Sequence, residues 1–157
     1  MSEVILICGK IGAGKTTYAK RLVTERNAEL LSCDEITLLF GQHLGDRHDE
    51  VVEKTQKYLL RKAVALMSKG VSVVLDWGFW TKNERDEVSE FFTEHGFDFE
   101  WHYIKVSDAV WRDNLNRRNA AFSDTTKDFY FIDDTAADSF GLMFEEPLEY
   151  NVLYERK

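Results

Sequence analysis

The chain has 157 residues, 44% hydrophobic and 31% charged, with one proline and nine glycines, a balance that excludes disordered, collagen-like and low-complexity classes. Twenty basic residues against 28 acidic ones give a net charge of −8, which disfavours wrapping long nucleic acid by bulk charge. From Phe122 onward nine acidic residues face three basic ones, so most of the excess lies in the last quarter and an anion site remains open to the rest.

Val4-Ile5-Leu6-Ile7-Cys8 is all apolar and reads as a strand buried on both faces. Gly14 to Asn27 has helical composition, and Leu30 to Cys33 reads as a second strand. Asp46 to Lys69 carries Val52, Leu59, Ala63 and Leu66 at helical spacing and ends at Gly70. Val71 to Asp76 is a third strand, Thr81 to His95 a helix stopped by Gly96, and Phe97 to Val106 a fourth strand. Ser107 caps a helix running to about Ala120. Residues Ala121 to Phe131 lack periodicity and read as a mobile loop. Ile132, Ala136, Phe140 and Met143 mark a further helix, and Tyr150 to Tyr154 a last strand. Strands alternating with helices predict an α/β fold on a parallel sheet, in a single domain over residues 1–157. No leader or transmembrane run is visible, and Cys8 and Cys33 read as reduced, buried thiols, so a cytoplasmic protein with no membrane partner is expected.

Gly9-Lys10-Ile11-Gly12-Ala13-Gly14-Lys15-Thr16 matches G-x-x-x-x-G-K-[ST] directly after a strand and at the opening of a helix, with Thr17 following. Glycines let backbone N–H groups close around phosphate oxygens, and the helix N-terminus adds positive potential. Lys15 is expected at the β- and γ-phosphates of ATP, with the Thr16 hydroxyl on Mg²⁺. The base-reading N-K-x-D of GTPases is absent, and Asp76 is followed by Trp77, Gly78 and Phe79 instead of a glutamate that would orient water. Both features favour transfer to an acceptor over hydrolysis.

The loop, Asp34, the Leu75-to-Trp80 run, Arg85, Arg118-Asn119 and Phe144-Glu145-Glu146-Pro147 together resemble the small P-loop kinases, the group that includes polynucleotide kinase, zeta toxin and chloramphenicol phosphotransferase. The resemblance implies a three-layer P-loop NTPase sandwich of strand order 2-3-1-4-5, a helical lid over about 107–131, ATP with Mg²⁺, and phosphorylation of a hydroxyl. It assigns Asp34 as general base. Ser32-Cys33-Asp34-Glu35 equally fits a capping box that leaves Asp34 a first-turn acid. Asp76 is expected at the metal or the acceptor, and Arg85 at the acceptor, with a surface ion pair as its alternative. Trp77, Phe79 and Trp80 form either an apolar wall for an acceptor ring or part of the core.

On a helix from Ser107, residues Trp111, Leu115, Arg118 and Phe122 share one face, so Arg118 lies on the inward stripe and Arg117 beside it. The family's lid reads R-x-x-x-R-N. Asn114 stands where its first arginine is expected, with Arg112 the candidate substitute at the nucleotide. His43, His48, His95 and His102 show no zinc spacing. The expected activity is an ATP-dependent kinase of a small hydroxylated molecule. Its alternatives are a 5′-hydroxyl nucleic-acid kinase and a non-catalytic nucleotide-binding regulator.

Overall fold

The computed structural model describes residues 2–41, 44–122, 130–148 and 152–156, the last stretch by its backbone. The predicted loop at 121–131 therefore lies largely outside the described residues, as does His43.

Strand β1 (Val4–Cys8) is buried along its whole length because helices cover both of its faces. Val4 and Leu6 point to a layer containing Leu59, Ala63 and Met67 of α3 (His48–Met67) and Val88 and Phe92 of α4 (Lys82–Glu94). Ile5 and Ile7 point the other way, toward Ala19 and Leu22 of α1 (Lys15–Arg26). This two-sided burial is why the run carries no polar alternation.

The sheet is completed by β2 (Glu29–Ser32), β3 (Val73–Gly78), β4 (Phe99–Val106) and β5 (Val152–Arg156). Its order is β2-β3-β1-β4-β5, and every pairing is parallel. Helices α5 (Asp108–Ala120) and α6 (Asp134–Met143) pack on each other through Trp111, Leu115, Ile132 and Ala137. Ser107 caps α5 as predicted, accepting from the Val110 amide at 3.3 Å, and Asp133 caps α6, accepting from Ala136 at 2.7 Å. Among the described residues no helix is long and apolar enough to cross a membrane.

Two strands begin later than the apolar runs suggest, for one reason. The Val71 amide turns back to the Leu66 carbonyl and the Phe97 amide to the Phe92 carbonyl, so each residue finishes the preceding helix instead of opening a ladder. At its far end β3 continues to Gly78, paired with Cys8 past a register shift. A short helix absent from the sequence reading, α2 (Cys33–Thr37), follows β2 and runs into a 3₁₀ turn over Leu38–Phe40. Five residues are too few to show a helical period.

Candidate active site

The carboxyl ends of β1, β2 and β3 lie side by side, and each delivers one part of the site. Past β1 the chain turns through the glycine-rich loop into α1. The Lys10 carbonyl accepts from the Ala13 amide at 3.1 Å and from the Lys15 ammonium at 2.8 Å, which folds the loop over its own lysine. Gly14 stands at φ +96° as the N-cap of α1, and a Cβ there would meet nothing within 4 Å. The cradle is thus open where a ligand would enter. Gly12, at φ +78°, is tight by contrast: a Cβ there would lie 2.8 Å from a Leu115 methyl.

That contact belongs to a wider clamp between α5 and the loop. The Trp111 indole donates to the Ile11 carbonyl at 2.6 Å, and the Asn114 amide donates to the Gly12 carbonyl at 3.0 Å. The Lys10 ammonium lies 4.7 Å over the Trp111 ring. Asn114, standing where an arginine was expected, therefore holds the loop backbone.

β3 supplies Asp76, which is buried and accepts a 3.1 Å hydrogen bond from the Thr16 hydroxyl. Desolvation pushes its carboxyl above the ordinary range, while Lys15 and the Thr16 bond pull it back. β2 leads into Asp34, in the first turn of α2. Asp34 is open to water on one side but crowded elsewhere, and desolvation again raises its pKa. Lys15, Arg118 and His48 oppose that shift, and Asp76 adds to it. Lys15 is shifted down by burial, against the pull of Asp76 and Asp34. Arg118 is held below its usual range by desolvation, with Asp34 as the opposing partner. Lys15, Asp34, Asp76 and Arg118 thus form one electrostatic cluster, assembled from three strand ends and α5.

Ser32 makes no side-chain cap bond at the start of α2, so the alternative capping box is not formed. Arg117 faces outward, paired with Asp113 at 3.1 Å, while Trp111 and Leu115 are buried and Arg118 is half-buried on their side. The predicted helical phase is the observed one.

Two residues expected at ligands have protein partners in the structure. Asp138 of α6 binds the Arg112 guanidinium, which lies 5.1 Å over the Trp111 ring. Arg85 is not the surface ion pair offered as its alternative. It is 1% exposed, and its Nη1 donates to the carbonyls of Phe79 at 2.9 Å and Trp80 at 3.2 Å. Those carbonyls belong to the corner after β3, where Gly78 and Phe79 both have positive φ. Of the aromatic run, Phe79 is core and packs on Trp77 and Trp101, each at 4.9 Å, while half-buried Trp80 lies on Phe140 of α6 at 5.1 Å. Phe144-Glu145-Glu146-Pro147 straps this corner, with Glu145 accepting from the Lys82 amide at 2.9 Å and its own amide donating to the Trp80 carbonyl at 2.8 Å.

Sequence reasoning missed Tyr130 and His48, which flank Asp34. The Tyr130 hydroxyl lies 2.6 Å from that of Thr37, and its ring meets His48 edge to face at 5.9 Å. No local motif marks either residue. Asn119 holds this segment in place, accepting from the Ile132 amide at 3.2 Å and donating to the Ile132 carbonyl.

The sequence profile described as an AAA domain matches residues 4–134. None of the curated proteins compared matches the chain. Among solved structures, a provisionally assigned kinase from Chloroflexus aurantiacus superposes with a TM-score of 0.73 at 19% identity, over 99% of this chain and 87% of the other. A sugar kinase from Janibacter sp. gives 0.66 at 19%, over 99% and 86%. The APS kinase CysC of Mycobacterium tuberculosis, in complex with AMPPNP and APS, gives 0.64 at 15%, over 98% and 87%. At these identities the likeness is one of fold.

Proposed function

From the premise that this chain belongs to the AAA domain family, we propose that it is an ATP-dependent phosphotransferase that moves the γ-phosphoryl group of ATP to a hydroxyl of a small molecule. The observation that carries this reading is the cluster of Lys15, Asp34, Asp76 and Arg118 beside an open glycine cradle. The kinase likenesses support it, one of them a structure holding both a nucleotide analogue and an acceptor.

In this reading the loop backbone at Gly12 and Gly14 and the first amides of α1 bind the phosphates, and Lys15 exchanges the Lys10 carbonyl for β- and γ-phosphate oxygens. Thr16 and Asp76, a hydroxyl and a buried carboxylate 3.1 Å apart, fit Mg²⁺ as oxygen donors beside phosphates. Mg²⁺ held there supplies charge neutralisation at the phosphate oxygens. Asp34 accepts the proton of the acceptor hydroxyl as its oxygen bonds to the γ-phosphorus. The bridging bond to the β-phosphate breaks, its electron pair leaving with ADP. Arg118 offsets the negative charge that spreads over the transferred group.

A nucleotide-binding regulator without transfer is the second reading. It is favoured by Asn114 serving the loop backbone and by Arg112 being occupied at Asp138. Single-turnover transfer by Asp34→Asn decides between them. The kinase reading expects near-normal ATP affinity with transfer slowed about 10²-fold or more. Absence of transfer by the wild type across hydroxylated acceptors, with ATP bound, favours the regulator.

A further inference from the structure

The acceptor side of the site has a chemistry of its own. A hydroxyl that is to meet Asp34 approaches past α2 and the start of α3, because Asp34 lies in the first turn of one and His48 opens the other. Tyr130 stands across that approach. Thr37, its hydroxyl partner, is fully buried, so the 2.6 Å bond anchors Tyr130 to α2. Its ring meets His48 edge to face, at 86° between planes, and together they present a ring-lined wall. Beyond Thr37 the chain exposes two large apolar side chains, Leu39 and Phe40.

The charge around this approach is net negative. Residues 34–57 contain six carboxylates against Arg47, Lys54 and Lys57; Glu50 pairs with Lys54 at 2.9 Å and Arg47 at 4.0 Å, Glu53 pairs with Lys57 at 2.8 Å, and Asp34, Glu35, Asp46 and Asp49 stand outside those pairs. A phosphorylated acceptor or a nucleic-acid strand would bring further negative charge past these carboxylates, toward the phosphates of ATP. A neutral molecule meets no such opposition, and a cationic one is drawn in.

Resting on the kinase reading above, we propose that the acceptor is an uncharged or cationic hydroxylated molecule with an aromatic or apolar face, seated against Tyr130 and His48 with its hydroxyl toward Asp34. Tyr130 then sets which acceptors are used, while the nucleotide is held elsewhere, on the glycine loop and α1.

The test uses matched acceptors with γ-labelled ATP: phenyl β-glucoside against phenyl β-glucuronide, and thymidine against thymidine 3′-monophosphate and a 5′-hydroxyl oligothymidylate. The uncharged member of each set is expected to show a kcat/KM about 10-fold or more higher, the gap narrowing as salt is raised. Equal or better use of the anionic members overturns the proposal, and so does failure to label any member. Calorimetry with Mg·ATP separates the two levels. Loss of nucleotide binding removes the kinase reading itself, whereas normal binding with anionic acceptors labelled removes only the acceptor class. Among variants, Tyr130→Ala is expected to raise the KM of the preferred acceptor about 10-fold with the KM for ATP unchanged, and Tyr130→Phe, which keeps the ring, to do so by less. An equal rise in both KM values, or none in either, overturns the role given to Tyr130.

Discussion

Replacing Arg85 with methionine tests whether this arginine builds the site's frame or touches an acceptor. In the structure its guanidinium is buried and donates to two carbonyls of the corner after β3. Hydrogen bonds to a charged group are worth roughly 1.5–3 kcal/mol each, so two losses sum to about 3–6 kcal/mol. Relief from burying a cation returns part of that, because methionine fills similar space without a charge to desolvate. A net loss of about 2–4 kcal/mol remains. For a chain of this size that lowers Tm by roughly 5–15 °C. Arg85→Lys keeps the charge but not the planar fork, and is expected to fall between wild type and methionine. The assay is urea or thermal unfolding followed by circular dichroism. A Tm for Arg85→Met within about 2 °C of wild type would falsify the framing role, since either lost bond alone exceeds that shift. An acceptor contact predicts the opposite pattern, unchanged stability with a raised acceptor KM.

Arg118→Ala is expected to slow transfer by about 10³-fold or more, with Arg117→Ala near wild type, because only Arg118 lies on the buried side of α5 with Asp34 as electrostatic partner; initial rates with any labelled acceptor decide, and equal effects refute the assignment. The acid limb of the pH–rate profile should lie above that of an ordinary aspartate, since Asp34 works deprotonated and its pKa is raised. The same shift acts oppositely on stability. A carboxyl whose folded pKa is raised favours the fold while protonated and loses that contribution as pH rises from the ordinary aspartate range through the raised value, so Asp34→Asn should flatten the fall in stability across that window; a steeper fall in the variant contradicts the burial argument. Gly12→Ala places a Cβ 2.8 Å from Leu115 at φ +78°. It should weaken ATP binding and cost about 1–3 kcal/mol in unfolding experiments, and a variant with wild-type affinity and stability removes the clamp between α5 and the loop.

The parallel α/β architecture, the glycine loop and the side of α5 that turns inward were all legible in the sequence. Each is written in contiguous residues. An all-apolar run such as Val4 to Cys8 has one stable environment, a strand covered on both faces, and the spacing of Trp111, Leu115 and Arg118 specifies a helix face whatever that helix packs on. Asp34 and Asp76 were legible as carboxylates at strand ends, because parallel strands deliver their carboxyl ends to one edge. What each polar side chain binds was decided by tertiary structure. Arg85 was expected at an acceptor, or else in a surface ion pair with its acidic neighbours, yet its partners are carbonyls of a left-handed corner. Arg112 went to Asp138, 26 residues away, and Asn114 to Gly12, 102 residues away. Tyr130 and His48 meet across 82 residues with no shared motif. Hydrophobic periodicity reports which face of an element is buried. A hydrogen-bond donor takes the acceptor that folding brings within about 3 Å, and spacing along the chain carries no record of that encounter.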